Sequence, residues 1–583
     1  MPQTRAQARK RHRVNETPSP IASKRVRKLL DEVPSPLPYR QLDLKSHQIR
    51  ILHLLPGNRK DPIRCALHTA LLDDGPKYEA LSYTWGDPLD CRSIEVDGRR
   101  KSVTVNLYHV LRRLRYARRG RRLWVDALCI NQENDIEKSH QVNLMSKIYS
   151  RTRRAILWLG DFSDGPIAKA NQIPRKTATA AFALLKAMAA NNHYDSGHEG
   201  GNRELADQGI PGLSCLMKLP WWHRAWTVQE ALLPENAMVV CGTIQLPFSQ
   251  FMQAYYNSLT HQRCCKRTGD LYSSLIQLQG LWAARERIGK KKLALGHVLN
   301  LFRARQVSDA RDRVYAYLGF GTKIAANYSL PHEEVFKLTM RSLIEESGKL
   351  ESLLRLDEDN RSPTLPTWVP DWCANFDERL YNSAVATFRS HLYYRASGKV
   401  KVATRVSSSD AVLDLQGLLL DHIAAVGCHL DTPEKVQDMF SEWQDRPNTE
   451  YPRGGGYREA CWRTIRGDLC KDQGVFRRLT SSDYDENMVN NKLEWLSTEI
   501  IGVTSYKRGL CTHTGMIGIG NRDIQVGDAI CILAGGNMPF VLRQVEGHGG
   551  GVAYQYIGQA YVHGIMDGEA MNEGRDLEWI SLV

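Results

Sequence analysis

The sequence of residues 123–132 is LWVDALCINQ, and this stretch decides the fold class. Its apolar part, Leu123–Ile130, has the length and composition of a strand buried on both faces, as in a parallel sheet. Apolar residues at helical spacing follow over positions 142–149, and Ala155–Leu159 predicts the next strand. A strand, a helix and a strand in this order indicate a βαβ unit with a right-handed crossover.

The same alternation extends upstream. Ile49–Leu54 and Tyr78–Trp85 predict strands, and Ile94–Val96 pairs with Val103–Val105 in a hairpin turned at Asp97-Gly98. Strands that alternate with helices are typical of an α/β layer fold. In such folds ligands bind in the crevice beyond the carboxyl ends of the strands.

One predicted helix carries an arginine-rich face. Asn106 is its expected N-cap, apolar residues from Leu107 to Leu114 recur at helical spacing, and Gly120 is its expected end. Such a face is typical of a solvated or partner-binding helix, and contact with nucleic acid is the alternative. Its members are Arg112, Arg113, Arg115, Arg118, Arg119, Arg121 and Arg122.

Patterning divides the 583 residues into four regions, with an insertion at about 161–209. Hydrophobic residues make up 42% and charged residues 24%, as in folded globular proteins, and no apolar run is long enough to span a membrane. We therefore expect no membrane association. The regions are a disordered basic tail (1–42), an α/β domain (43–262), a mostly helical middle (263–409) and an α+β region ending in a small β-rich domain (410–583).

Half of the formal charge of +14 lies in the tail, where residues 1–40 hold ten Lys or Arg against three acidic residues. The basic clusters at 9–13 and 24–28 are spaced like a bipartite nuclear import signal; nucleic-acid contact and a merely solvated tail are the alternatives. No secretory signal is visible, and the 13 cysteines are scattered. We expect an intracellular protein, cytoplasmic or nuclear.

Several site motifs are missing from the sequence. It contains no phosphate-binding P-loop, no dinucleotide fingerprint, no C-x-x-C pair and no zincin helix. The sequence therefore predicts no prosthetic group and no metal site. Cys264 and Cys265 are expected to be core or surface residues.

Three segments together resemble the blocks of the fungal heterokaryon incompatibility (HET) domain, over about residues 47–245. They are YEALSYTWGD at 78–87, LWVDALCINQ at 123–132 and WWHRAWTVQE at 221–230. The resemblance implies a fungal protein of non-self recognition that triggers programmed cell death. Its implied partner is a second copy of itself or another incompatibility protein.

HET domains in turn resemble Toll/interleukin-1 receptor (TIR) domains, which implies a flavodoxin-like parallel sheet. In the TIR members that hydrolyse NAD, an essential glutamate stands four residues after a tryptophan, and here Trp226 and Glu230 have that spacing. The resemblance implies Glu230 as the catalytic carboxylate and NAD as a substrate. On one helix, the Trp226 indole would line the site in which Glu230 works. The alternatives are a signalling module without enzymatic activity, in which both residues are structural, and, more weakly, a DNA-associated factor.

Other block residues are candidates for binding NAD in the same crevice. Asp126 follows a predicted strand and Asn131 and Gln132 lie in the next loop, where they could bind ribose hydroxyls. Helix capping by Asp126 and a turn at Asn131 are the structural alternatives. The loop after the first block strand adds Ser82, Tyr83, Trp85, Gly86 and Asp87; here Trp85 could equally fill the core and Gly86 permit a turn.

Overall fold

A computed structural model describes most of the chain from residue 39 onward. The tail clusters at 9–13 and 24–28 lie outside the described residues. Those residues are 39–163, 171–194, 203–261, 264–265, 267–289, 293–353, 361–374, 392–407, 409–444, 450–472, 475–483, 504, 507–547 and 550–583.

Ten strands of the described residues form the first sheet, in the order β10-β9-β7-β3-β6-β1-β2-β4-β5, with β8 paired to β7. The pairs β6–β3, β3–β7 and β7–β9 form a parallel centre, and β7–β8 is parallel too. The flanking pairs are antiparallel except for the parallel pair β2–β4. The strands are β1 (Gln48–Leu54), β2 (Arg64–Leu71), β3 (Glu79–Ser82), β4 (Cys91–Val96), β5 (Arg99–Thr104), β6 (Arg121–Trp124), β7 (Arg154–Ser163), β8 (Gln172–Pro174), β9 (Ala237–Cys241) and β10 (Ile244–Pro247).

Helices cover this sheet and continue into the middle of the chain. The stripe at 142–149 lies on a helix as predicted, and its apolar residues pack into the core of the sheet. The helices are α1 (Val105–Leu114), α2 (Asp126–Cys129), α3 (Asp135–Arg151), α4 (Arg175–Ala189), α5 (Arg203–Met217), α6 (Thr227–Leu232), α7 (Phe248–Thr260), α8 (Thr268–Gly289), α9 (Leu295–Leu301), α10 (Asp312–Tyr315), α11 (His332–Ser347), α12 (Pro433–Gln444) and α13 (Tyr457–Ile465).

Helix α1 is shorter and starts earlier than predicted. Thr104, rather than Asn106, is its N-cap and accepts a hydrogen bond from the Leu107 amide. The helix ends at Leu114 and not near Gly120, because the Arg115 backbone is extended. The Arg115 guanidinium donates to the carbonyls of Asn58 and Pro62 across the domain.

The stretch 123–132 is also divided differently from the prediction. Strand β6 ends at Trp124, and residues 126–129 form the short helix α2 instead of continuing the strand. The Asp126 carboxylate accepts a hydrogen bond from the Ala127 amide at 2.7 Å, which favours this turn. Buried apolar residues continue through α2, so the apolar run alone did not distinguish a strand from a turn.

The C-terminal region is β-rich, as predicted, and its strands close into a barrel. Six strands pair in the ring β12-β15-β16-β19-β18-β17, and β17 pairs back to β12. Strands β11 and β20 add to β12, and β13 pairs with β14 in a separate hairpin. The strands are β11 (Thr404–Arg405), β12 (Leu413–His429), β13 (Leu469–Asp472), β14 (Val475–Arg478), β15 (Lys507–Thr512), β16 (Ile517–Asn521), β17 (Ala529–Leu533), β18 (Phe540–Glu546), β19 (Val552–Val562) and β20 (Glu578–Leu582).

Left-handed glycines occur in two turns of this region, at Gly527 and Gly535. None of the helices in the described part of the chain is long and apolar enough to cross a membrane.

Candidate active site

The site is built at the carboxyl ends of the parallel strands, around the buried Glu230 carboxyl. Ser82, the last residue of β3, donates from Oγ to Glu230 Oε2 at 2.5 Å. The Trp221 indole N–H in turn donates to Ser82 Oγ at 2.8 Å. Glu230 is only 6% exposed, and Ser82 and Trp221 are fully buried. A carboxyl with an ordered donor and an indole beside it therefore lies in a water-poor environment.

This environment changes the acidity of Glu230. Burial raises the pKa of the Glu230 carboxyl to about 7, the negative charge of Asp126 adds to the rise, and the Ser82 hydrogen bond opposes it. The Arg224 charge and a hydrogen bond with Tyr149 also lower it. A carboxyl with this pKa changes its protonation near neutral pH, which is typical of groups at functional sites.

Asp126 is the second carboxyl of the site. It is half-buried and accepts a hydrogen bond from the Trp85 indole N–H at 2.7 Å, with Tyr83 as a further partner. Burial raises the pKa of Asp126, against the Trp85 hydrogen bond and the Arg224 charge. Because the charge of Asp126 raises the pKa of Glu230, and both carboxyls raise the pKa of Tyr83, the two carboxyls belong to one electrostatic cluster.

Arg224 is a member of this cluster that sequence reasoning did not single out. Its guanidinium donates to the Tyr83 carbonyl at 2.9 Å, and its charge lowers the pKa of both carboxyls. It lies inside the third block, within four residues of Trp221, so its position in the motif was the available signal. Tyr149 was predicted only as a helix residue, yet its hydroxyl binds the Leu81 carbonyl beside the site.

Trp226 lies one helical turn before Glu230, and the Glu230 amide donates to its carbonyl. Helix α6 is short, and residues 220–223 form a separate 3-10 turn before it. The Trp226 indole N–H donates to Asp312 at 2.9 Å, so it joins the α/β domain to helix α10. The indole that contacts the Ser82–Glu230 pair is that of Trp221.

The remaining candidates occupy the loops around the cluster. Gln132 donates to the Asp126 carbonyl at 3.1 Å and so stays close to the site. The Asn131 side chain accepts from the Glu133 amide, and the exposed Asp87 accepts from the Leu89 amide, so both serve local turns. Gly86 has a φ of 84°, a left-handed conformation that favours glycine.

A basic cavity of about 730 Å³ opens at the opposite end of the strands, where β3, β6, β7 and β9 begin. None of the predicted site residues lines it. The charged clusters at the two ends of the sheet are therefore separate. Its basic lining residues include Lys77, Arg119, Arg121, Arg122, Arg153 and Arg154.

Part of the predicted arginine face is engaged within the protein. Arg113 binds Asp161 at 2.9 Å, Arg121 binds Glu79 at 2.6 Å, and Arg112 donates to the Arg59 carbonyl. Guanidinium groups held by carboxylates and carbonyls stabilise the domain. Arg118, Arg119 and Arg122 are exposed, and Arg119 and Arg122 line the basic cavity.

Together, the fold and the site define a two-part protein: an α/β domain with buried carboxyls at the carboxyl ends of its parallel strands, and a C-terminal barrel. Comparison with known proteins gives the same division. A family model for the heterokaryon incompatibility protein (HET) matches residues 78–230, and one for the Het-6 β-barrel domain matches residues 483–580.

The chain is also similar to heterokaryon incompatibility protein 6, OR allele, of Neurospora crassa. The two are 25% identical over 90% of this chain and 94% of that protein. No solved structure matches the chain. The chain is a heterokaryon incompatibility (HET) domain protein, as its three sequence blocks predicted.

Proposed function

We propose that this chain acts in fungal non-self recognition and cell death, and that its HET domain does so by hydrolysing the nicotinamide glycosidic bond of NAD. The name of the Neurospora relative supports the incompatibility role. The observation that carries the enzymatic part is the Glu230 carboxyl, which is buried at the carboxyl ends of the parallel strands beside Ser82 and Trp221.

The strand order supports a flavodoxin- and TIR-like interpretation of the domain. The spatial order β6-β3-β7-β9 places the first parallel strand in chain order between the second and the third. This is the 2-1-3-4 order of flavodoxin-like sheets, whose ligand crevice lies where the order reverses, between the first and third strands. Those strands are β3 and β7, and α6, which carries Glu230, packs on both.

The reaction needs a negative charge where positive charge develops. When the bond between the ribose anomeric carbon and the nicotinamide nitrogen breaks, its electron pair leaves with nicotinamide and the ribosyl carbon becomes cationic. Water then adds to that carbon and releases a proton, giving ADP-ribose. Nicotinamide leaves as a neutral molecule, so one carboxylate suffices and no proton donor is needed. Glu230 supplies that carboxylate, and Trp221 limits the access of bulk water.

The acidity of Glu230 fits a cationic substrate. With a pKa of about 7, the empty site holds a mixture of the neutral and ionised forms at neutral pH. The positively charged nicotinamide ring of NAD, placed beside the carboxyl, favours ionisation and so generates the reactive form on binding. The Ser82 hydrogen bond holds the carboxylate in one orientation.

Asp126 and Trp85 supply the outer part of the proposed site. Trp85 is 38% exposed and covers Asp126 through their hydrogen bond. Displacing this indole frees the Asp126 carboxylate to accept hydrogen bonds from ribose hydroxyls. Gln132 and Tyr83 stand against Asp126 and keep it in place.

The test is release of nicotinamide from NAD by the purified full-length protein, alone and after assembly with a second copy or an incompatible partner. Glu230→Gln is expected to abolish release and to keep the fold, because the amide can still accept the Ser82 hydrogen bond. Glu235→Gln alters an exposed glutamate five positions later and serves as the control. Undiminished release by folded Glu230→Gln, or no release by the wild type in any state, refutes the enzymatic proposal.

The second candidate is a signalling module that works by self-association, with the three blocks as scaffold. Its support is that Glu230 has hydrogen-bond partners in Ser82 and Tyr149 and the charge of Arg224 nearby, which also suits a purely structural carboxyl. In a growing fungal cell, toxicity that survives Glu230→Gln supports this candidate. Loss of toxicity in the same variant supports the enzyme.

A further inference from the structure

Four metal-ligating side chains meet at a helix junction far along the chain from the Glu230 cluster. His193 follows α4, His261 ends α7, and Cys264 and Cys265 lie in the turn before α8. Their donor atoms, one from each residue, all lie within 4.8 Å of one another. His261 and Cys265 are buried, and His193 and Cys264 are half-buried.

The spacing of these donors matches a single tetrahedral ion. Zinc bonds of about 2.3 Å to sulfur and about 2.0–2.1 Å to nitrogen place neighbouring ligand atoms about 3.3–3.8 Å apart. Here Cys264 Sγ lies 3.1 Å from His261 Nδ1 and 3.7 Å from His193 Nδ1. Cys265 Sγ lies 3.7 Å from His193 Nδ1 and 3.9 Å from His261 Nδ1. These four sulfur–nitrogen separations lie within about half an ångström of that geometry, and all six separations among the donors are within 4.8 Å.

The histidine at the centre of the cluster is oriented as a ligand. His261 Nε2 lies 3.1 Å from the Asn191 side-chain oxygen, which accepts a hydrogen bond when Nε2 carries the proton. The opposite ring nitrogen, Nδ1, then presents its lone pair towards both sulfurs. A hydrogen bond from the second ring nitrogen to an oxygen is the usual arrangement around metal-bound histidine. Asn191 adopts a left-handed backbone, with φ of 62°, at this position.

We propose that His193, His261, Cys264 and Cys265 bind one structural zinc ion. Two thiolates and two imidazoles are the donor set that zinc prefers in closed, four-coordinate structural sites. Four protein ligands leave no position for substrate, so the ion would act on stability and not in catalysis. It would join the ends of α4 and α7 to the start of α8, and so connect the α/β domain to the helical middle region.

The proposal revises the expectation that Cys264 and Cys265 have no metal-binding role. Sequence spacing could not reveal the site, because His193 lies 71 residues before Cys264 and the cysteines are adjacent instead of forming a C-x-x-C pair. Only the packing of α4 against α7 brings the first histidine to the other three ligands.

The first test is metal content. Full-length protein, purified under reducing conditions and equilibrated with zinc, is expected to retain about one zinc ion per chain after removal of excess metal. Cys264→Ser with Cys265→Ser is expected to lose it. The matched control is Cys91→Ser with Cys428→Ser, which alters two exposed cysteines outside the cluster. Zinc retained by the first double variant, or absent from the wild type, overturns the proposal.

The second test is spectroscopic and needs no variant that risks misfolding. Wild-type protein loaded with Co²⁺ should show the visible absorption of tetrahedral cobalt and a thiolate-to-metal charge-transfer band. Absence of the thiolate band, or a disulfide between Cys264 and Cys265 in the reduced preparation, overturns the proposal.

The Asn191 contact gives a third test. Asn191→Gly removes the amide but keeps a residue suited to the left-handed backbone, and it should weaken zinc affinity by about 10–100-fold. An unchanged affinity contradicts the assigned orientation of His261. All three readouts are independent of NAD hydrolysis, so the outcome for the zinc site is separate from that for Glu230.

Discussion

Replacing Glu230 by Gln should change how the stability of the protein depends on pH. In the folded chain the pKa of Glu230 is about 7, against an ordinary value of 4.5, chiefly because of burial. The folded state therefore binds the proton more tightly than the unfolded state does. Glu230 is most favourable to folding at or below about pH 4.5, and this contribution is lost as the pH rises towards 7.

The magnitude follows from the two pKa values. Their difference corresponds to about 3 kcal/mol between the fully protonated and fully ionised limits. Between about pH 5.5 and about pH 8, the linkage relation gives a loss of about 2 kcal/mol in the free energy of unfolding. Glutamine cannot ionise, so the variant lacks this loss, and its free energy of unfolding should fall by about 2 kcal/mol less than that of the wild type between these pH values.

The assay is urea unfolding of wild type and Glu230→Gln, followed by tryptophan fluorescence at both pH values. Asp126 and Tyr149 remain in both proteins, so the comparison isolates Glu230. Glu235→Gln, at an exposed position, should follow the wild type. Parallel pH profiles for wild type and Glu230→Gln would refute the description of Glu230 as a buried carboxyl that ionises near neutrality.

Three further changes test other parts of the domain. Arg50 and Glu137 form a buried ion pair with a 2.5 Å contact. Arg50→Met leaves a buried carboxylate without its partner and should cost about 3–5 kcal/mol of unfolding free energy. Changing both partners to apolar residues should cost less, and equal losses in urea unfolding would contradict this. Gly86→Ala places a Cβ on a left-handed backbone and should lower the free energy of unfolding by about 1–2 kcal/mol in urea unfolding. An unchanged stability would contradict the expected backbone strain at residue 86. Trp221→Phe removes the hydrogen-bond donor to Ser82 but keeps an aromatic ring, and it should lower the free energy of unfolding by about 1–3 kcal/mol. An unchanged unfolding temperature in calorimetry would argue against this hydrogen bond.

The parts of the fold that follow from local patterns were predictable from the sequence. The apolar stripe of α3 and the hairpin at Asp97-Gly98 appear where periodicity and turn chemistry predicted them. Both of these turn residues have the positive φ that an Asp-Gly turn demands. The predictions were wrong at the ends of helices and strands. Helix α1 ended early because Arg115 found backbone carbonyl partners near residues 58–62 that no local pattern reveals.

Side-chain partners in the site were the least predictable feature. The spacing of Trp226 and Glu230 suggested a shared helix face, but the Trp226 indole binds Asp312, which lies 86 residues away in the sequence. Trp221 took the place beside Ser82 because a 3-10 turn, and not a continuous helix, precedes α6. Glu230, which motif spacing singled out, is buried in the structure. The direction of each neighbouring side chain depended on tertiary packing.

The closure of the C-terminal barrel limits how copies of this protein can join. Because β17 pairs back to β12, the six-stranded ring of the described residues offers no row of vacant backbone donors and acceptors to an incoming chain. At one edge of the first sheet, strand β5 carries Arg99, Arg100 and Lys101. Such cations discourage the addition of another strand at that edge. If copies of the protein associate as proposed, surface side chains at these two places would determine the match, and a single substitution there can alter it without disturbing the architecture.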